Sequence, residues 1–449
     1  MSEIKLFHGN CLEKLKELED DSVDSIVTDP PAGIAFMNKE WDKDKGGRDN
    51  WIKWMESISS ECLRVLKPGG HALVWALPRT SHWTAMAWEN AGFEVRDKIA
   101  HVFGSGFPKS MAIDKAIDKH HGAKRTVKKG IKQGHEDFAD RKTKGHLAGE
   151  NKNEGWARPW MESEDANDYH YDFEPATDDA AKWVGWGTAL KPAMEDWWLL
   201  RKPLSEKTVA ENVLKHSVGG INIDATRIPI NPEVDDPRLG GNGTWKTDGM
   251  AKNVYEGGYA GIENGSSVLG RFPSNFTHDG SEEVLELFPQ SKGQQGNVKG
   301  TEKSHTGEHG IYGEYNRIQT VKRGDSGSAA RFFYCAKASK SDKNEGMSDG
   351  AKNTHITVKP YNLMKYLVTL VTPPNGTVLD PFMGSGSTGK AAVRCGFNFV
   401  GIDLDPDYLQ IAKARIEYAR DNPEEQNKSK PKKDIQVKKQ TNLPSDLFE

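Results

Sequence analysis

Hydrophobic positions are spread unevenly along the chain. Regular α/β periodicity occupies roughly residues 1–120 and 360–420, and the span between them lacks it. In the first stretch the spacing predicts a helix over 12–18, a polar break at Asp20-Asp21-Ser22 and a strand over 25–28. A helix over 51–66 meets the stop signal Lys67-Pro68-Gly69-Gly70, and a strand over 71–76 follows. A helix over 81–91, Gly92 and a strand over 93–99 complete the block. The second stretch predicts helix 362–372, strand 377–379, helix 387–395, strand 397–402 and helix 406–420. Strands alternating with helices imply a parallel sheet covered on both faces.

Residues 120–177 are polar and charged, and 190–203 form a short apolar island. Residues 218–331 are rich in Gly, Asn and Asp with weak periodicity, which reads as irregular structure or disorder. The pattern divides the chain into a first core half (1–120), an insertion (121–335), a second core half (336–420) and a basic tail (421–449) expected to be disordered.

Composition narrows the classes. The 449 residues carry a net charge of -4, so any nucleic-acid surface must be local. No apolar run approaches bilayer length, and charges interrupt the N-terminal apolar residues, so neither a membrane span nor a signal peptide is expected. Cys11, Cys62, Cys335 and Cys395 are scattered, which points to no metal site and fits a reducing cytoplasm.

Two segments carry candidate chemistry. Thr377-Val378-Leu379-Asp380-Pro381-Phe382-Met383-Gly384-Ser385-Gly386-Ser387-Thr388-Gly389 reads as strand, Gly-rich turn and helix start. Such a turn lets backbone approach a ligand closely, beside unpaired N–H groups. Phe399-Val400-Gly401-Ile402-Asp403 then ends a second strand in an acid placed to accept ribose hydroxyls. The spacing departs from the dinucleotide fingerprint, so phosphate cradling is not the obvious use. The other segment is the strand leading into Asp29-Pro30-Pro31. The prolines fix the backbone and remove donors but leave carbonyl acceptors. A carboxylate and a carbonyl there suit an amino group with two hydrogens to donate. Holding both hydrogens favours a pyramidal nitrogen with a free lone pair, by positioning and electrostatics alone.

Together the two segments resemble the amino-methyltransferases of DNA, in that family's beta arrangement, where D-P-P-[YFW] precedes the F-x-G-x-G cofactor motif. Leu6-Phe7-His8-Gly9-Asn10-Cys11-Leu12 is similar to the family's adenine-binding turn, and Lys359-Pro360 to its motif ahead of the cofactor loop. Gly185-Trp186-Gly187-Thr188-Ala189-Leu190-Lys191-Pro192 and Ser105-Gly106-Phe107-Pro108-Lys109-Ser110 resemble segments of phage and prophage members. The resemblance implies a circularly permuted Rossmann-like sheet, S-adenosylmethionine as cofactor and double-stranded DNA as substrate, the insertion serving as target-recognition region. It implies that Asn10, Cys11, Asp29, Lys359, Asp380, Phe382, Gly384, Gly386, Thr388 and Asp403 line the cofactor site, with Asp29, Pro30 and Pro31 catalytic.

Two positions depart from the family. Asn10 replaces an aspartate, keeping a carbonyl acceptor without the charge. Ala32 replaces the aromatic that stacks on the flipped base, leaving Phe36 and Trp41 just downstream as substitute rings. In the family, Asp at the first motif position goes mainly with adenine N6, and Ser or Thr with cytosine N4. Asp29 thus favours adenine; N4-cytosine methylation, methylation of RNA or a protein amide, and a catalytically weak DNA-binding relative stay open.

Reaching an amino group in a duplex requires flipping the base. The expected phosphate footprint comprises Lys124, Arg125, Lys128, Lys129, Arg227, Arg238, Trp245, Lys246, Arg271, Lys322, Arg323 and Arg331. The resemblance also raises a homodimer. In the tail, basic residues 428–439 precede Leu443-Pro444-Ser445-Asp446-Leu447-Phe448, which faintly resembles peptides that bind the bacterial sliding clamp.

Overall fold

The computed structural model describes residues 2–36, 39–104, 106, 110–131, 169–231, 270–291, 326–337, 339, 341–348 and 351–423. The tail peptide and the basic candidates Arg238, Trp245, Lys246, Lys322 and Arg323 lie outside these residues, as do the side chains of Lys128 and Lys129.

The first block folds as β1 (Ile4–His8), α1 (Cys11–Leu15), β2 (Val23–Thr28), α2 (Arg48–Val65), β3 (Leu66–Ala76), α3 (Ser81–Asn90) and β4 (Glu94–Val102). α2 runs directly into β3, so the Pro-Gly stop signal lies inside the strand. There Gly69 adopts φ +80° and its N–H donates to the Lys202 carbonyl at 3.1 Å, where the register between β2 and β3 shifts. β2 is buried along its whole length, and its polar side chains are all bonded. Asp24 accepts from Lys67 and the Thr377 N–H, Ser25 pairs with Thr372, and Thr28 donates to Asp380.

The middle of the chain contributes α4 (Ile113–His120), β5 (Thr126–Ile131), β6 (Tyr169–Glu174) and α5 (Asp178–Ala181). It continues with β7 (Met194–Arg201), α6 (Val209–His216), β8 (Phe276–His278), α7 (Glu282–Leu285), β9 (Gln290–Ser291), β10 (Gly327–Ser328) and β11 (Tyr334–Cys335). The final block is α8 (Tyr361–Val371), β12 (Thr377–Asp380), α9 (Ser387–Arg394), β13 (Asn398–Asp403) and α10 (Pro406–Asp421).

Nine strands form one sheet in the order β1-β13-β12-β2-β3-β7-β4-β8-β11. The expected purely parallel sheet is instead mixed, because β7 runs antiparallel to both β3 and β4. β7 is the apolar island of the sequence. Its Trp197, Leu199 and Leu200 are buried, which makes it a central strand.

Side-chain alternation sorts the core into two layers. Val27, Leu73, Val378 and Phe399 join α8, α9 and α10 on one face; Ile26, Ala72, Val74, Leu379 and Val400 join α2 and α3 on the other. The crossover after β12 therefore goes to one face and the crossover after β2 to the other. Their carboxyl ends diverge there, and such a reversal leaves a crevice where open α/β sheets bind ligands.

The described chain forms two compact units, residues 1–104 with 194–449, and residues 105–193. These boundaries differ from the expected 120/121 and 335/336, because β7, β8 and β11 hydrogen-bond into the core sheet. Within the smaller unit, Arg125 pairs with Asp114 at 2.8 Å and Asp118 at 2.7 Å, tying the chain after α4 back onto that helix. Among the described residues no helix is long and apolar enough to cross a membrane.

Candidate active site

The crevice collects Asp29 just past β2, Asp380 at the end of β12 with Phe382 just beyond, and Asp403 at the end of β13. β1 pairs with β13 so that His8 stands opposite Asp403, and the Gly9 N–H donates to the Asp403 carbonyl at 2.9 Å. That register brings the Asn10 turn beside the acid, though the two are 393 positions apart in the chain (403 − 10). Asn10 caps α1, its Oδ1 accepting the Leu12 N–H at 3.0 Å. That oxygen was expected to serve the cofactor, and the cap now uses one of its lone pairs. Cys11 follows, half-buried, its thiol pushed up to about 12 by burial.

The glycine loop is built for close approach. Gly384 has φ +53° and Gly386 φ +76°, the left-handed region that suits glycine. A Cβ on Gly384 would fall 2.8 Å from His355 Nε2, and one on Gly386 3.0 Å from the Ala412 backbone. Asp403 orders the loop from below, accepting the Gly384 N–H at 2.7 Å and the Asp405 N–H at 2.8 Å. Burial still raises its carboxyl to about 6. Asp380 and Thr388 are each 2 % exposed. Asp380 accepts from Thr28 Oγ1 (2.7 Å) and the Phe382 N–H (3.1 Å), so it locks β2 to the loop rather than presenting an open face. Burial lifts its carboxyl to about 7, opposed by bonds from Thr388 and Thr28. Gly389 lies inside α9, as the expected helix over 387–395 has it, against Phe399 and Ile416.

Asp29 leaves the end of β2 with its side chain 22 % exposed. Burial raises its carboxyl to about 6, against the pull of Lys359. Lys359 was expected among the cofactor residues, yet its Nζ sits 3.0 Å from Asp29 Oδ2 and 3.8 Å from Glu195 Oε2. The same ammonium lies 4.1 Å from the centre of the Trp75 ring. Burial works to lower its pKa, but Asp29 and Glu195 outweigh this and hold it above the ordinary lysine value.

Pro30 is buried, and the loop behind it closes on Asp42, which is 1 % exposed. Asp42 Oδ1 accepts the N–H groups of Ala32 (2.6 Å) and Gly33 (3.0 Å), and Oδ2 accepts that of Phe36 (2.7 Å). Ala32 is buried at 8 % exposure, while Phe36 and Trp41 are half-buried on either side of this knot. Gly33 at φ +71° lies against the Trp51 indole, where a Cβ would come within 2.8 Å. Glu195, Trp75, Asp42 and His355 carried no motif signal. The one trace was helical: Trp51 and Trp54, whose rings lie 6.1 Å apart, sit on the expected helix, and Trp54 approaches Phe382 at 6.2 Å.

These residues suit a nucleoside cofactor. Asp403 offers a partly exposed carboxylate, Gly384 of the turn is half-buried beside it, and the buried Ser387 hydroxyl in the first turn of α9 has no hydrogen-bond partner among the described residues. The sheet and crevice are those of an α/β protein suited to a nucleoside cofactor. Residues 23–414 match the family described as DNA methylase, and the chain belongs to it; that family's cofactor is S-adenosylmethionine. The chain is similar to the Type II methyltransferase M2.LlaDCHI of Lactococcus lactis subsp. cremoris, 29% identical over 177 residues, 39% of this chain and 60% of that protein. It is similar to M.BamHI of Bacillus amyloliquefaciens, 38% identical over 78 residues, 17% of this chain and 18% of that one. M.HindIII of Haemophilus influenzae aligns over 455 residues at 21% identity, covering 93% of this chain and 96% of the relative. The matched region thus spans less than two thirds of the first two relatives and nearly all of the third.

Proposed function

We propose that the chain methylates the N6 amino group of adenine in double-stranded DNA, acting on a base rotated out of the helix. The observation that carries this reading is Asp29. Its carboxylate ends β2, faces the crevice and lies on the same sheet edge as the glycine turn and Asp403. When bound, S-adenosylmethionine supplies an electrophilic methyl group. Asp403 and the turn at Gly384 and Gly386 would hold its nucleoside part, with Phe382 beside them. Asp29 and the Pro30 carbonyl accept the two N–H bonds of the target amino group. That localises the nitrogen lone pair otherwise shared with the ring, and it orients the nitrogen without covalent chemistry on the protein. The identity of Asp29, rather than Ser or Thr, favours adenine over cytosine.

Mass spectrometry of nucleosides from DNA of cells expressing the chain tests this. The expected product is N6-methyladenine, absent when Asp29→Ala is expressed at equal level. N4-methylcytosine instead would keep the site and change the base. No methylated base from the wild-type chain would overturn the activity altogether.

A further inference from the structure

Lys359 poses a problem for the reading just given. Its ammonium occupies Asp29 Oδ2, one of the oxygens the target amino group needs. A second carboxylate, Glu195 on β7, lies within 3.8 Å of the same nitrogen. The Trp75 ring, 4.1 Å away, floors the space the ammonium occupies. Lysine is suited to such a post, since it is a compact point charge on a flexible stem, with three donors and no fixed fork to hold it on one partner. The ammonium is largely buried, its side chain 10 % exposed, so it needs an anion wherever it sits.

We propose that Lys359 and Glu195 form a positioning pair for the catalytic carboxylate: the Lys359 ammonium guards Asp29 before the target base arrives and transfers to Glu195 as the base's amino group takes its place. The proposal rests on Asp29 being the amino-group acceptor. A buried carboxylate without a counter-ion would be costly, and one permanently paired would compete with its substrate. Glu195 resolves the conflict by offering the displaced cation a second anion within a short side-chain movement. The charged groups around the pair are few. Asp42 and Asp380 face Asp29, and His101 and His355 stand near Lys359.

The test is methyl incorporation into unmethylated genomic DNA over roughly pH 5 to 9, since kcat/KM reports ionisation of the free enzyme. Cofactor affinity is measured separately by calorimetry. For the wild type, kcat/KM rises as Asp29 ionises, with a midpoint near the carboxyl value of about 6. Glu195→Gln removes a carboxylate that opposes Asp29 ionisation, so the acid limb moves to lower pH. It also strands Lys359 on Asp29, so kcat/KM at neutral pH falls by about tenfold, a loss of transition-state stabilisation near 1.4 kcal/mol. Lys359→Gln removes the stabilising cation, and the acid limb moves to higher pH. Both variants keep cofactor affinity. A Glu195→Gln enzyme with the wild-type rate and profile overturns the pair. So does a Lys359→Gln enzyme that loses cofactor affinity with its acid limb unmoved, which would return Lys359 to the cofactor site. Asp29→Ala separates the levels: if it still methylates, the assignment of Asp29 fails, whereas an inactive Asp29→Ala beside an unaltered Glu195→Gln sinks only the pair.

Discussion

Asp42 shows how a single carboxylate can hold a catalytic loop. Among the described residues the chain between Pro31 and Arg48 holds one short 3-10 turn, Glu40–Asp42, and no strand or α-helix, and Asp42 accepts from Ala32, Gly33 and Phe36. Removing it leaves buried N–H groups bare at about 1–3 kcal/mol each. Asp42→Ala is therefore expected to lower the thermal midpoint by several degrees and to cut kcat, while cofactor affinity holds because the glycine loop is ordered by Asp403. Thermal scans with and without cofactor check this; an unchanged midpoint would show that the loop has another anchor. At this scale the sequence was legible where a residue's role depends on its neighbours in the chain. Asp29 and Asp403 each end a strand, and both were readable. Lys359, Glu195 and Trp75 meet only through pairing across β3, β7 and the approach to α8, so their meeting had no local trace. Ala32 is buried beneath the Asp42 knot, so this loop turns inward at the position where the family resemblance leads one to expect a ring.

Elements were legible where their period was clean. The helices α2, α3, α8, α9 and α10 fall within a few residues of expectation, the longer ones on their apolar stripes and α3 and α9 on the turn residues that bound them. β7 was not assigned, since a strand buried on both faces shows a run of apolar residues and no alternation. Its direction was also unreadable, and that single reversal makes the sheet mixed. Gly389 falls in the helix start the sequence predicts, and its lack of a side chain serves packing within α9. A Cβ there would meet Phe399 and Ile416 at 2.5 Å, so Gly389→Val should force α9 off β13. Overpacking of this kind costs about 1–3 kcal/mol, and because α9 begins at the glycine loop the damage should appear as weaker cofactor binding as well as lower stability. Calorimetric titration with S-adenosylmethionine decides it; wild-type affinity would mean that the loop is fixed independently of the helix behind it.

At the scale of the molecule, the inserted unit 105–193 interrupts a hairpin. β4 and β7 are antiparallel neighbours, and Val102 is the register partner of Met194. Their connection needs to be only a few residues long, because two-residue loops suffice between antiparallel strands and a glycine suits the tight position. Phe103-Gly104 already supplies such a pair. The polar stretch 120–177 falls within unit 105–193, whose edges follow strand pairing and not composition, so the expected boundary at 335 lies beyond β7. Deleting 105–193 and joining Gly104 to Met194 should therefore leave the larger unit folded. Among the described residues, neither core layer draws a side chain from the deleted span. The basic footprint expected from the sequence is weakened independently, since Arg227 pairs with Asp224 and Arg331 caps its own turn at Gly327 and Ser328. Arg125 of the deleted unit is likewise paired, with Asp114 and Asp118, so the phosphate contacts expected of that unit fall to Lys124, Lys128 and Lys129. The shortened chain is expected to bind S-adenosylmethionine as the full chain does and to lose DNA affinity, with a shallower dependence of log K on log salt because fewer phosphates are neutralised. Cofactor calorimetry and DNA titrations at several salt concentrations test both halves. Unchanged DNA affinity and salt slope would move target recognition to the segments joined to β8 and β11, and loss of cofactor binding would show that the core sheet depends on the unit threaded through its hairpin.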